Sequence, residues 1–319
     1  MRCLEIKTDS YKYLEQSFKQ WLAVLGYAPV SVYGLPNYLR EFFHWLEKQD
    51  ITQVKNITAP HIKQYYNYIK QRANTRQGGG LSPAYINKHK QTINLFLQYV
   101  RSTGRYEMPC IKLEGLKAQP EKIKVLSTAE IKQLYNATHQ NDTLYYAQET
   151  GIRDRAMLSV LYGCGLRRSE AKNLDIEDIN LDNKTLHVKK GKGNKDRFVP
   201  LHSSNAKHLE DYLYNARPVL LDVKRKKDKT ETAFFISAQS KRLSDMTMHK
   251  RLGDLLQKTD DPVLIEKKPT LHTLRHSIAT HLLDNGMKLE AISKFLGHSS
   301  LESTQIYTHL TDAQGTIIG

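Results

Sequence analysis

The chain contains few cysteines and no long apolar run. Cys3, Cys110 and Cys164 are far apart and form no CxxC pair, which argues against a disulfide framework and a structural zinc site. No segment approaches the roughly eighteen apolar residues of a membrane-spanning helix, and the charged N-terminus lacks the apolar core of a signal peptide. We therefore expect a cytoplasmic protein that does not enter a membrane.

Acidic residues are also scarce. The 319 residues include 33 Asp and Glu against 48 Lys and Arg, so the formal net charge is +15. Such a charge attracts polyanions, and nucleic acid is the commonest polyanion that a soluble protein meets. Binding to a membrane surface, or binding of the ribosomal type, would produce the same balance. The charge therefore favours a nucleic-acid partner without deciding it.

Apolar periodicity predicts a helical N-terminal part. Apolar residues recur at three- and four-residue steps, as at Leu14, Phe18 and Leu22, and the first hundred residues contain four such patterns. Thr58 and Ser82, each followed closely by a proline, have the sequence of helix starts. Four helices in this length predict an all-helical bundle.

The remaining sequence predicts a linker and a second domain. Residues 104–125 lose the periodicity and gain Gly, Pro and Lys, which is typical of a linker. Farther along, Ser127-Thr128-Ala129-Glu130 has the sequence of a capping box at a helix start. Helical patterns then flank short β-rich pieces at Thr185–Val188 and Arg197–Val199. We predict a loop over 138–151 and a short buried strand at FFIS, residues 234–237. The predicted fold is mainly α with a small antiparallel β-sheet in the C-terminal domain, divided into residues 1–108, a linker at 109–125, and residues 126–319.

Basic residues stand at two glycine breaks of the second domain. Arg167 follows Gly165 at a predicted helix start, where a guanidinium can point into a cleft; a surface arginine pair with Glu170 as its partner is the alternative. Lys192 lies in KKGKGNK, a glycine-rich turn whose four lysines would repel one another without an anion. The nucleotide-binding patterns GxxxxGK[ST] and GxGxxG are both absent.

Histidines and a tyrosine are concentrated in residues 270–309. His272 and Arg275 are three residues apart and share a helix face, and His276 follows His272 by four. A zinc site of the HExxH type is excluded, because Thr273 replaces the glutamate and Arg275 would place a fixed cation beside the metal. His298 lies at a Gly-marked helix end, and Tyr307, one of eighteen tyrosines, follows nine residues later.

These residues together describe a site for a phosphodiester that uses no Mg²⁺. Two-metal nucleases need several Asp or Glu ligands, which this set lacks. Arginine forks suit the non-bridging phosphate oxygens and stabilise the charge of the transition state. A phenol has a pKa of roughly 10, so it needs a base or nearby cations before it can attack phosphorus.

Five motifs in this order closely resemble the tyrosine recombinase, or phage integrase, family and its Xer-type members. They are GLRRSE, GKGNKDRFVPL, LHTLRHSIATHLL, LGHSS and STQIYTHL. The resemblance covers the whole second domain and extends to the first, which is similar to that family's SAM-like core-binding domain that clamps DNA. It implies a tyrosine-recombinase catalytic domain with no cofactor and no metal.

By matching position, the resemblance assigns catalytic roles to six residues. The family's two arginines fall on Arg167 and Arg275, its hairpin lysine on Lys192, its two histidine positions on His272 and His298, and its nucleophile on Tyr307. The implied reaction passes through a 3′-phosphotyrosine and needs neither metal nor ATP. The lysine would protonate the leaving 5′ oxygen, and His272 would accept the proton of the tyrosine.

The resemblance implies a site-specific recombinase, either an integrase or transposase of a mobile element or a Xer-type resolvase. Its expected partner is double-stranded DNA at a specific site, bound by a homo-tetramer or hetero-tetramer. Two alternatives remain: a type IB topoisomerase-like enzyme that relaxes DNA, and a DNA-binding accessory protein that does not cut. The complete set of six residues argues against the accessory protein, and the Xer-like bundle argues against the topoisomerase.

Overall fold

The computed structural model describes residues 4–75, 78–104, 106–117, 124–139, 146–189, 196–222 and 231–297. The chain divides into two compact units, Met1–Glu121 and Lys122–Gly319. No helix within the described ranges is long and apolar enough to cross a membrane.

The first unit is a helical bundle with an aromatic core. Tyr11 and Phe43 stack with ring centroids 4.3 Å apart, and Phe96 meets Phe43 edge-on at 5.2 Å. Ser82 begins the last helix as predicted, because its hydroxyl accepts a hydrogen bond from the Tyr85 N–H at 3.3 Å. The four helices are α1 (Asp9–Val24), α2 (Pro29–Glu47), α3 (Ala59–Gln71) and α4 (Pro83–Ser102).

Residues 106–117, which we call the strap, are not helical but are fixed to this bundle. Leu113 is buried, and the Tyr66 hydroxyl donates to the Glu114 carbonyl at 2.7 Å. The Asn87 side chain exchanges two hydrogen bonds with the Leu116 backbone, at 2.8 and 2.9 Å. Much of the predicted linker therefore packs on the first unit.

The second unit surrounds a larger apolar core with helices. The predicted capping box is present, since Ser127 Oγ accepts from the Glu130 N–H and Glu130 Oε2 accepts from the Ser127 N–H. Two helices widen into π turns, at Ser159–Gly163 and Tyr212–Ala216. The helices are α5 (Thr128–Ala137), α6 (Ala147–Leu158), α7 (Arg168–Asn173), α8 (Ser203–Asp211), α9 (Arg217–Asp222), α10 (Asp245–Gln257), α11 (Pro262–Lys267), α12 (Leu271–Asp284) and α13 (Leu289–Leu296).

A small antiparallel sheet lies between α7 and α8. Its strands β1 (Ile179–Asn180), β2 (Thr185–Val188) and β3 (Arg197–Pro200) are ordered β1-β2-β3. Register pairs Leu186 with Val199 and Val188 with Arg197. Because side chains alternate along a strand, the buried Leu186, Val188 and Val199 share one face with Arg197, and this face points into the unit.

Two local predictions were wrong. The FFIS segment is buried but is not a strand, because the described residues around it form only the single bridges Asp175–Ala233 and Ile236–Arg242. The loop predicted over 138–151 is wrong from Ala147 onward, because α6 begins there, and its residues 140–145 lie outside the described residues. The first turn of α6, AQET, has no apolar periodicity to indicate a helix.

Candidate active site

A glycine turn places Arg167 at the start of α7. The π turn ends at Gly163, and Gly165 follows with a φ of +60°, a left-handed conformation that favours glycine. A Cβ on Gly165 would lie only 2.7 Å from Leu296 Cδ2 and 3.1 Å from Phe295 Cε1. Glycine is therefore required here both by backbone conformation and by the close approach of α13.

Arg167 is held by one carboxylate and one carbonyl. Its Nη1 donates to Glu170 Oε1 at 2.7 Å, and its backbone N–H donates to Glu170 Oε2 at 2.8 Å. Its Nη2 donates to the Gly297 carbonyl at 2.9 Å. Arg167 therefore does pair with Glu170, as in the alternative interpretation of this arginine. It also contacts Gly297, the residue before His298 in the sequence.

Arg275 reaches the same place from α12. Its side chain is 2% exposed, its Nη1 donates to the Gly165 carbonyl, and its Nη2 donates to the Leu296 carbonyl at 2.6 Å. Its Nη1 also lies 3.8 Å from Glu170 Oε2. The two predicted arginines, 108 residues apart in the sequence, therefore meet at Glu170 and at the end of α13.

Glu170 joins these arginines to a third, Arg197. The Arg197 guanidinium binds Glu170 through two hydrogen bonds, Nη1 to Oε1 at 3.0 Å and Nη2 to Oε2 at 2.8 Å. Burial would raise the pKa of Glu170, but hydrogen bonds and charge from Arg197 and Arg167 outweigh it and lower the pKa to about 2. Glu170 is therefore ionised at neutral pH.

His272 lies one helical turn before Arg275. Burial, followed by the charges of Arg275 and Arg167, lowers the pKa of His272 below its ordinary value of 6.5. Its ring meets the His276 ring edge-on, with centroids 4.6 Å apart, and burial likewise lowers the pKa of His276 to about 4. A neutral imidazole at this position can accept a proton.

The other three predicted residues, Lys192, His298 and Tyr307, lie outside the described residues. His281, which is not among the six, binds the Tyr162 hydroxyl through its Nδ1 at 2.9 Å. The described part of the chain has no group of three His, Cys, Asp or Glu residues that could hold a metal ion.

Comparison with known proteins decides the family. The phage integrase family model matches residues 124–314, more than half of the chain. The chain belongs to the phage integrase family. The predicted family and fold class are confirmed, and this integrase-family chain is a tyrosine recombinase, an enzyme that cleaves and rejoins DNA.

Curated relatives of this integrase-family chain resemble it along most of its length. Tyrosine recombinase XerC of Natranaerobius thermophilus is 32% identical over 305 residues, which cover 91% of this chain and 92% of the relative. Tyrosine recombinase XerD of Staphylococcus saprophyticus is 34% identical over 277 residues, with 86% of each chain covered. The similarity therefore includes the first unit as well as the matched domain.

Solved structures of recombinases share the fold. XerH site-specific recombinase bound to difH substrate has a TM-score of 0.71 at 21% identity and covers 97% of this chain and 84% of its own. The Tn1549 transposon integrase in complex with transposon right end DNA has a TM-score of 0.64 at 17% identity, covering 92% and 94%. At these identities the likeness establishes the architecture only.

Glu170 and Arg197 were missed as site residues by sequence reasoning. Glu170 was considered only as a surface partner of the arginine pair, and Arg197 only as a strand residue. A signal existed for Glu170, because a glutamate three residues after a helix-start arginine can return to its backbone N–H. Arg197 gave no local signal, since its partners lie 27 and 98 residues away.

Proposed function

We propose that this tyrosine recombinase cuts and rejoins double-stranded DNA at a specific site through six residues: Arg167, Lys192, His272, Arg275, His298 and Tyr307. The single observation that supports the proposal best is the convergence of Arg167 and Arg275 on Glu170 and the end of α13, next to His298 in the sequence. This convergence places two guanidinium groups together beside a histidine on α12.

The proposed cleavage step is a displacement at phosphorus. The Tyr307 oxygen bonds to the scissile phosphorus, the bond to the 5′ oxygen breaks, and a 3′-phosphotyrosine forms. His272 accepts the phenol proton, and Lys192 donates a proton to the leaving 5′ oxygen. The 5′ hydroxyl of a partner strand reverses the step, so the energy of the phosphodiester is retained and ATP is not consumed.

The arginines supply the charge that the transition state needs. Guanidinium groups bind non-bridging phosphate oxygens through paired hydrogen bonds, and fixed donors stabilise charge as it develops. Three arginines surround one carboxylate here, which leaves a local charge of about +2 for a phosphate. No step of the proposed reaction uses a metal ion.

The proposed partner is duplex DNA, and the proposed working assembly is a tetramer, of identical chains or with a related chain, that holds two duplexes. The net charge of +15 supports DNA binding. Further support comes from the related structures of XerH on difH substrate and of a lambda integrase dimer on a COC′ core site. Exchange between two duplexes requires that all four DNA strands be cut. Because each chain supplies one nucleophile, four chains are needed.

A suicide substrate tests the proposal. A preferred site is first selected from a random duplex pool, and a nick beside the scissile phosphate then lets the freed fragment diffuse away and traps the adduct. We expect the wild type to form a covalent adduct without added metal, and Tyr307→Phe to bind the duplex but form none. An equal adduct with Tyr307→Phe, or none with the wild type, would contradict the proposal. Relaxation of supercoiled plasmid that lacks the selected site would instead favour the topoisomerase-like alternative.

A further inference from the structure

Arg197 connects three segments of the active site. Its guanidinium binds both oxygens of Glu170, and its Nε donates to the Phe295 carbonyl at 3.2 Å. Gly297 lies directly against it, because a Cβ on Gly297 would be 2.9 Å from Arg197 Cδ and Nη1. Arg197 is also the first residue of β3 and follows Lys192 by five positions.

The contacts of Arg197 are specific to a buried guanidinium. Its side chain is 11% exposed and that of Glu170 is 6% exposed, so solvent screens the pair only weakly. Three donors in a planar fork reach two carboxylate oxygens and one carbonyl oxygen. A lysine ammonium carries the same charge but cannot reproduce this bidentate geometry.

The charge balance gives Arg197 a role beyond packing. Glu170 Oε1 accepts from both Arg167 and Arg197, so the two arginines share one negative charge. Without Arg197 the carboxylate would be neutralised mainly by Arg167, and less of the positive charge of Arg167 would be available to a phosphate. Arg197 also fixes the carboxylate that orients the Arg167 backbone and side chain.

We propose that Arg197 is a positioning residue for DNA cleavage: it neutralises and orients Glu170, so that Arg167 directs its charge to the scissile phosphate. The proposal rests on the proposed function of Arg167. Arg197 itself does not touch the DNA in this account. Arg197 acts by changing the positive charge that the scissile phosphate encounters. Cleavage of a neutral phosphate analogue therefore distinguishes this role from a purely structural one.

The experiment compares two nicked suicide duplexes of the selected site. One carries the normal scissile phosphate, and the other carries a methylphosphonate there, in which a methyl group replaces one non-bridging oxygen and removes the negative charge. Single-turnover adduct formation and duplex affinity are measured for the wild type, Arg197→Gln and Arg197→Lys. Arg217→Gln is the control, because Arg217 is a buried arginine of the same unit that binds the Glu231 and Ala233 carbonyls away from Glu170.

We expect Arg197→Gln to bind the normal duplex with unchanged affinity and to cleave it about tenfold to a hundredfold more slowly, the usual effect of a group that orients another. On the methylphosphonate its deficit should shrink to about threefold, because a neutral centre needs less cationic charge. Arg197→Lys should recover part of the rate on the normal duplex. For Arg217→Gln, the ratio of the rates of adduct formation on the two duplexes should equal that of the wild type.

An equal deficit of Arg197→Gln on both duplexes, or no deficit on the normal one, overturns the proposal. If Arg197→Gln does not fold, Arg197→Lys, which loses only the bidentate geometry, is compared on the two duplexes instead. Its smaller deficit on the normal duplex should also shrink on the methylphosphonate, and an equal deficit on both duplexes overturns the proposal. Failure of the wild type to form an adduct on the normal duplex overturns the proposed function, and with it this inference.

Discussion

Glu170 is the residue on which the described part of the site depends. It lies 6% exposed among three guanidinium groups, and each of its oxygens accepts hydrogen bonds from more than one donor. A buried carboxylate is stable only when it is paired, and removal of one partner costs more than loss of a surface ion pair. The site therefore contributes to folding stability as well as to chemistry.

Folding stability should depend on the charge of Glu170. Its pKa is lowered from an ordinary 4.5 to about 2, so its ionised form stabilises the fold above pH 4.5, and this contribution, about 3 kcal/mol, is lost as pH falls toward 2. We expect the difference in unfolding free energy between the wild type and Glu170→Gln to be largest near neutral pH and to shrink across this window. Denaturant titrations at several pH values measure it. A difference that does not change with pH would contradict the assignment.

Gly165→Ala should destabilise the second unit. The left-handed backbone costs an alanine about 1–2 kcal/mol, and the close contact with Leu296 adds about 1–3 kcal/mol. Chemical denaturation measures the loss. The control is Gly253→Ala in α10, where the added Cβ meets nothing within 4 Å apart from its chain neighbours and the backbone of its own helix. There the helix should gain about 0.5–1 kcal/mol. Equal effects of the two variants would show that the Gly165 turn is not constrained as described.

At the scale of elements, the strap is fixed by side chains of the bundle. The amide group of Asn87 pairs with the Leu116 backbone as a neighbouring β-strand would, with one donor and one acceptor. The Tyr66 hydroxyl holds Glu114, and Leu113 is buried. The segment that connects the two units is therefore shorter than the predicted linker, because residues 109–117 belong to the strap.

Asn87→Ala should release the end of the strap. The two lost hydrogen bonds amount to about 1–3 kcal/mol of local stability, so the amide of Leu116 should exchange with solvent about tenfold to a hundredfold faster. Hydrogen exchange measured by NMR or mass spectrometry provides the readout. Asn94→Ala, at an exposed position of the same helix, is the control and should leave this exchange unchanged. Unchanged exchange in Asn87→Ala would contradict the account of the strap.

The sequence predicts elements well where periodicity or a cap is local. Ser82 and Ser127 mark helix starts that the structure confirms, and the pieces at 185–188 and 197–199 form the predicted antiparallel pair. The missed elements lack such signals. Helix α11 has only six residues, too few for a period to show, and β1 has only two.

The residues of the site could also be predicted only in part, but for a different reason. Arg167, His272 and Arg275 could be named because they occur in recognisable motifs. Arg197 could not, because its importance comes from Glu170 and Phe295, which are brought to it only by the fold. The shared carboxylate is a tertiary feature that no single segment encodes.

At the scale of the whole molecule, a net charge of +15 should make duplex binding strongly dependent on salt. Each phosphate neutralised releases counterions, and the logarithm of the association constant should fall steeply against the logarithm of salt concentration, with a slope of about −0.9 per phosphate contacted. Fluorescence anisotropy on the selected duplex and on a scrambled one measures this slope. A flat dependence would contradict extensive contact with the phosphate backbone.

The central claim is that Tyr307 is the nucleophile of this recombinase. Digestion of the trapped protein–DNA adduct, followed by mass spectrometry, identifies which of the eighteen tyrosines carries the phosphate. We predict a single modified peptide with the 3′-phosphate of the cleaved strand on Tyr307. A phosphate on any other residue, or no adduct with the wild-type chain, would contradict the claim.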